Sequence, residues 1–186
     1  MRKYERYKPS GIEWLGEIPE HWEVKRVKDI LSNTKYPIKT GPFGSQLKGD
    51  DLKDEGVVCV YSQRNVIDNQ FEEFKYFVDS NKAIELSAFK VKANDILITT
   101  RGTIGRASLL SDKCKIGILH PCLIALRINK KLVNYNFFLY YLNDSGVFQK
   151  YIASESNATT IEVIYSNTLN VFIKIIPPLS EQTAIS

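Results

Sequence analysis

The 186-residue sequence is poor in the residues that metal binding and covalent catalysis draw on, with 3 cysteines, 2 histidines and 1 methionine. Cys59, Cys114 and Cys122 make an odd count without framework spacing, which suits reduced thiols better than a disulfide scaffold. His120-Pro121-Cys122, with Cys114 nearby, supplies ligand types, but no second Cys or His pair completes a tetrahedral set, so no metal is expected. No apolar run approaches the roughly 20 residues that span a bilayer. The charged start MRKYERYKPSG lacks the apolar stretch of a secretory signal, so a cytoplasmic, membrane-free protein is expected. Internal repeats and low-complexity tracts are missing as well.

Catalytic signatures are equally thin. Gly41-Pro42-Phe43-Gly44-Ser45 has no Gly-Lys-Ser/Thr ending and is no P-loop, and a G-x-S-x-G elbow does not occur. Glu73-Phe74-Lys75 matches half of a metal-nuclease pattern. So does Glu23-Val24-Lys25, and neither has a Pro-Asp partner upstream. Pro177-Pro178 follows Ile176, not the Asn or Asp that would hold a target amino group in a DNA amino-methyltransferase. These gaps point to binding rather than catalysis.

What is present is an ordinary globular composition, 44% hydrophobic and 25% charged, which suits one domain with a sizeable core. The net charge of +4 is permissive of nucleic acid without demanding it. Trp22 to Val27 alternates apolar and polar residues and predicts a half-buried strand; Val57–Tyr61, Ile96–Thr100, Leu123–Ile128 and Val171–Ile176 predict buried ones. Asn134 is a plausible cap for a helix burying Phe138, Tyr141 and Leu142, and Gly146 separates it from a second helix carrying Val147, Phe148, Tyr151 and Ile152. Asp79 to Leu86 suits a short helix. Leu179-Ser180-Glu181-Gln182 opens another, with Ser180 as its expected cap, and a helix so well signalled near residue 186 suggests a piece of a longer chain. The irregular mixture favours α+β over a doubly wound sheet.

Four small-polar loops lie between these elements. GPFGSQLK at 41–48 holds Phe43 between two glycines, most simply as a plug packing the loop on the core. Ser62-Gln63-Arg64-Asn65 places side chains able to pair with adenine or guanine edges at a strand end. Arg101-Gly102-Thr103-Ile104-Gly105-Arg106 combines glycines, whose backbone can approach phosphate, with flanking arginines. Ser156-Asn157-Ala158-Thr159-Thr160 is the fourth.

The ordered series of motifs resembles the specificity subunits of Type I restriction-modification systems. It runs from Gly11-Ile12-Glu13-Trp14-Leu15-Gly16-Glu17-Ile18-Pro19-Glu20-His21-Trp22 through GPFGSQLK, Gln63-Arg64-Asn65-Val66, Asn94-Asp95-Ile96 and Arg101-Gly102-Thr103-Ile104-Gly105. His120-Pro121-Cys122 and the aromatic helix at 137–142 follow, then Ala158-Thr159-Thr160 and Ile176-Pro177-Pro178-Leu179-Ser180-Glu181-Gln182. Asn94 stands where Gly is more usual.

The resemblance implies an amino-terminal target-recognition domain over 1–178, with a twisted mixed β-sheet core and peripheral helices, and the start of a long central helix at 179–186. It implies a non-catalytic reader of one half of a split double-stranded DNA site. S-adenosylmethionine, ATP and Mg2+ would belong to partner modification and motor-nuclease subunits, and a naturally half-size subunit would pair with a second copy. On that reading Lys39, Lys48, Arg101 and Arg106 contact phosphates. Ser45, Gln46 and Thr103 work beside them in the glycine loops. Gln63, Arg64 and Asn65 read bases, with Asn157, Thr159 and Thr160 on the same surface. The competing class is a single-stranded nucleic-acid binder stacking bases on Phe43, Tyr61 and Phe71.

Overall fold

The structure, a computed structural model, describes residues 4–13, 15–155 and 163–186. Trp14, Asn157, Thr159 and Thr160 therefore lie outside the described residues.

The chain opens with a short hairpin, β1 (Tyr7–Pro9) on β2 (Glu17–Pro19), followed by β3 (Glu23–Arg26) and a 3-10 turn at Val27–Ile30. Next come β4 (Ile38–Thr40), β5 (Val58–Tyr61), α1 (Gln63–Ile67), β6 (Tyr76–Val78), α2 (Ser80–Glu85) and β7 (Lys90–Val91). Then follow β8 (Ile96–Thr99), β9 (Ala107–Leu109), β10 (Gly117–Leu119) and β11 (Leu123–Leu126). The last elements are α3 (Tyr135–Asn143), α4 (Val147–Glu155), α5 (Ser166–Val171), β12 (Ile173–Ile176) and α6 (Leu179–Ile185).

The α+β reading holds, and the sheet core divides in two. One sheet has the order β6-β5-β10-β7 and is mixed, because β5 and β10 run parallel; the other, β4-β11-β8-β9, is antiparallel. Alternation along each strand shares its side chains between two layers. Cys59, Tyr61 and Leu119 of the first sheet meet Leu97, Leu123 and Ala125 of the second in one buried cluster. Ile96, Ile98, Ile124 and Leu126 face the other way, onto Phe137, Phe138, Phe148 and Phe172. Val60 and Ile118 pack outward against Leu47, Ala83 and Leu86. The central strands are thus covered on both faces, which is why their sequences are nearly continuous apolar runs.

Local chemistry sets the boundaries. Asn134 caps α3 by accepting from the amides of Asn136 (2.8 Å) and Phe137 (3.3 Å). Asp79 caps α2 through Lys82 N–H at 2.8 Å. Asn94 has φ +69°, a left-handed conformation that Gly favours and Asn tolerates next best. Asp95, beside it, accepts from Lys92 N–H and pairs with Arg127 at 2.6 Å, pinning the entry to β8.

Some expectations are revised. Ser62-Gln63-Arg64-Asn65 is not a plain turn but the cap and first residues of a helix. Residues 166–171 fold as helix α5, so the last strand starts at Ile173 rather than Val171. Ser180 lies inside α6, whose cap residue is Pro178, and the amides of Glu181 and Gln182 reach the Pro178 carbonyl. Val24 stays exposed because β3 pairs only with β12 in a two-stranded ribbon; Val27 and Ile30 of the following turn carry the burial instead. Among the described residues no helix is long and apolar enough to cross a membrane.

Candidate nucleic-acid interface

Three of the four polar loops, together with the His120-Pro121-Cys122 turn between β10 and β11, meet at one edge of the two sheets. Gly41 explains the first junction. A Cβ there would lie 2.1 Å from the His120 carbonyl oxygen, so only glycine allows the 41–48 loop to pass so close, and Gly41 N–H donates to the Leu123 carbonyl at 2.9 Å. His120 N–H donates to the Tyr61 carbonyl, bringing the turn to the start of α1. Thr100 N–H donates to the Cys122 carbonyl, and the Gln63 side-chain amide donates to the Arg101 carbonyl at 2.8 Å. These bonds tie the 101–106 loop to both neighbours. Within that loop Gly105 sits at φ +81°, with Phe148 in contact range of any added Cβ, so the turn between the two arginines needs glycine on both counts. Residues 163 and 164, which follow the fourth loop, also return here: Arg101 bridges Val163, and Ile164 N–H donates to the Thr100 carbonyl.

A cleft of about 790 Å3 opens between α1 and the turn, lined among others by Gln63, Arg64, Tyr76, His120 and Cys122. Its charges are mixed, with Arg64 and Lys75 against Asp68 and Glu73. Arg64 is 87% exposed and forms a 3.1 Å pair with Asp68 one helical turn on. Lys75 lies over the Tyr76 ring, 5.1 Å from its centroid. Glu73 and Lys75 are the half nuclease pattern noted in the sequence. Among the described residues no group of three or more His, Cys, Asp or Glu could hold a metal ion.

The expected contact residues fall into two sets. Ser45, Lys48, Arg64, Arg101, Thr103 and Arg106 are exposed; apart from the Arg64–Asp68 pair and the attraction of Lys48 for Asp51, their side chains make no hydrogen bond or ion pair among the described residues. Gln63 keeps its carbonyl and one N–H after bonding Arg101. The others are committed. Asn65 is buried; its oxygen accepts from Ser62 N–H (2.9 Å) and Ser62 Oγ (2.7 Å), and its amide donates to the carbonyls of Gln70 and Glu73. All its capacity holds the 62–73 segment together, so the structure gives it a scaffolding task where base reading was expected. Gln46 accepts from Phe43 N–H at 2.9 Å, which ties its oxygen to the loop backbone and leaves both amide N–H donors free. Lys39 donates to the Lys90 carbonyl at 2.7 Å, away from the cleft, and burial lowers its pKa.

Phe43 is a correction. It does not plug the loop: its side chain is 80% exposed, and Leu47, buried in the cluster under α2, is the anchor. Lys82 of α2 fastens the same loop by reaching the Gln46 carbonyl and Asp51. Tyr61 fails as a stacking platform, because it has no exposed surface and its hydroxyl donates to the Lys115 carbonyl. Residue-type reasoning on loops missed Tyr76, Lys75 and Gln70 as cleft residues. They belong to strand β6 and its approach, and nothing in their pattern distinguishes them from ordinary strand residues.

The first and last motifs meet elsewhere. Glu181 of α6 lies 2.6 Å from His21 Nε2 and accepts from the Tyr4 hydroxyl (2.8 Å) and Trp22 Nε1 (3.0 Å). Desolvation raises the Glu181 pKa, but these hydrogen bonds outweigh it and hold the carboxyl below its ordinary value. Gln182 is wholly buried; it accepts from Asn134 N–H and donates to the Leu132 and Pro177 carbonyls. The N-terminal segment, α3 and the start of α6 are thereby latched together.

The chain is similar to known proteins over nearly its whole length. The family model of the Type I restriction modification DNA specificity domain matches residues 19–186. The chain belongs to this family. Relatives include the protein described as the type I restriction enzyme MjaX specificity subunit of Methanocaldococcus jannaschii, 29% identical over 99% of this chain and 41% of its own. The EcoBI specificity subunit of Escherichia coli is 27% identical over 90% of this chain and 34% of its own. The fold is similar to that of the HsdS subunit from Thermoanaerobacter tengcongensis (TM-score 0.59, 17% identity, 96% of this chain and 38% of that one). A chain solved in work on complex assembly of the type I R-M system scores 0.63 at 17% identity, covering 96% of this chain and 39% of that one. The present chain therefore spans about two fifths or less of the relatives it matches, as a single specificity domain.

Proposed function

We propose that this specificity domain reads one half of a split double-stranded DNA site, and that it does so without chemistry of its own. The observation that carries the reading is the edge where three polar loops converge with Arg and Gln side chains that keep unused hydrogen-bonding groups. Arg64 keeps its terminal guanidinium nitrogens free for guanine O6 and N7, and its exposed pair with Asp68 is weak enough to give way. Gln63 retains the carbonyl and N–H that pair with adenine N6 and N7. The Gln46 oxygen is held by the Phe43 N–H, and its two free N–H donors suit phosphate. Lys48, Arg101 and Arg106, with Ser45 and Thr103, position the backbone. Lys39 and Asn65 act through the scaffold.

By kinship with the specificity subunits, adenine methylation and cleavage would be carried out by modification and motor-nuclease partners. S-adenosylmethionine, ATP and Mg2+ would be bound there. Residues 179–185 would lead toward the helices on which such partners dock. The test is selection from a randomised duplex library by the complete specificity subunit assembled with its modification subunits. A preferred half-site that Arg64→Ala relaxes at one position supports the reading. Equal binding of single strands in competition, or no sequence preference, removes it.

A further inference from the structure

His120 lines the cleft between Arg64 and Tyr76 but has no part in the roles assigned above. Its ring is held on several sides. Nδ1 accepts the Cys122 backbone N–H at 3.2 Å, so that nitrogen carries the lone pair and Nε2 carries the proton of a neutral imidazole. Tyr76 stacks against the ring at 6.4 Å between centroids and 20° between planes. The backbone is fixed by His120 N–H to Tyr61, by Leu123 N–H to the His120 carbonyl, and by the close passage of Gly41. Among the described residues Nε2 has no hydrogen-bond partner. Burial holds the imidazole pKa below its ordinary value, so the ring stays neutral near pH 7. Protonation would moreover turn Nδ1 into a donor facing the Cys122 donor.

The geometry points to His120 as a fixed single donor that reads a hydrogen-bond acceptor on a base edge: purine N7, guanine O6 or thymine O4. This inference rests on the DNA-reading proposal and deepens it. Phosphates are better served by the charged, mobile side chains at the rim. A neutral donor that cannot swing away suits discrimination instead, because a base presenting its own donor, adenine N6 or cytosine N4, leaves both groups unpaired.

His120→Asn isolates the role. Its side-chain oxygen can take the Cys122 N–H from nearly the position of Nδ1, keeping the turn, while its amide stops short of where Nε2 reaches. In the assembled specificity complex, the expected result is an unchanged salt slope, with preference at one base position reduced roughly tenfold. Removing the acceptor at that position, by 7-deazapurine for N7, 2-aminopurine for guanine O6 or 5-methyl-2-pyrimidinone for thymine O4, should weaken the unsubstituted complex similarly and leave His120→Asn unaffected. Uniform loss over all sequences with a shallower salt slope would make His120 a phosphate contact and overturn the assignment. So would unchanged preference at every position, which would reduce the ring to packing. If the unsubstituted complex shows no base preference at all, the DNA reading itself fails, a result distinct from either.

Discussion

Two corners of the molecule use polar side chains in opposite ways. At the corner where residues 4–22 meet α6, Glu181 engages three side chains, and Gln182 uses its oxygen and both N–H groups on buried backbone. At the loop edge, Ser45, Arg101, Thr103 and Arg106 project without a side-chain hydrogen bond or ion pair among the described residues, and Lys48 has only the nearby charge of Asp51. Polar motifs of similar appearance in the sequence thus divide into clamps and contacts. The division is decided by what surrounds them, since a buried polar group must find partners within the protein while an exposed one has water. Asn65 shows that the boundary can pass between adjacent residues: it is a clamp, and Arg64 beside it is free to make a contact.

Substitutions can break this contrast. The largest effect is expected at the clamps. Asn65→Ala and Gln182→Ala each strand several buried groups and should each cost about 3 kcal/mol in denaturant unfolding. If Asn65→Ala leaves stability intact and alters only base preference, the contrast fails at its most informative residue. Leu47→Ala should cost roughly 2–5 kcal/mol, because it empties the anchor of the 41–48 loop. Arg64→Ala should cost roughly 1–3 kcal/mol of discrimination at a single base position, read from library selection, with stability unchanged.

The pH dependence of the α6 latch sharpens the clamp side. Glu181 is held below its ordinary pKa when folded, so its contribution is complete above the unfolded carboxyl value of about 4.3. It is lost as pH falls through the lower folded value. The Trp22 indole N–H resonance should shift across that acidic range, whereas Glu181→Gln should abolish the transition. Lys48→Ala should weaken all DNA sequences alike and reduce the salt slope by about 1. Smallest of all, Phe43→Ala should leave stability within about 0.5 kcal/mol, since the ring touches little of the core.

Much of the fold was legible because the central strands are apolar on both faces and the longer helices carry their own signals. Ile96–Thr99 and Leu123–Leu126 fall within the expected runs, and Asn134 caps α3 as expected. Helices α1 and α5 were not legible. Gln63–Ile67 is too short and polar to declare itself. It is helical because Val66 is buried, Ser108 Oγ holds the Val66 carbonyl and Gln63 reaches Arg101. Phe43 misled for the complementary reason: an apolar residue among glycines suggests packing, but the turn around it uses Leu47 for that purpose.

By itself the sequence determined the family, the α+β class and the loops from which a contact surface could be built, because those follow from ordered motifs, periodicity and turn chemistry that neighbouring residues encode. Only the tertiary structure decided which side chains remain free to touch a partner. Asn65 and Lys39 spend their side chains on hydrogen bonds to residues as distant in sequence as Lys90, while the His120 ring is held by the stacking of Tyr76. Hydrogen-bonding capacity is finite, and how each group's share is used depends on neighbours that only the folded chain brings within 3 Å.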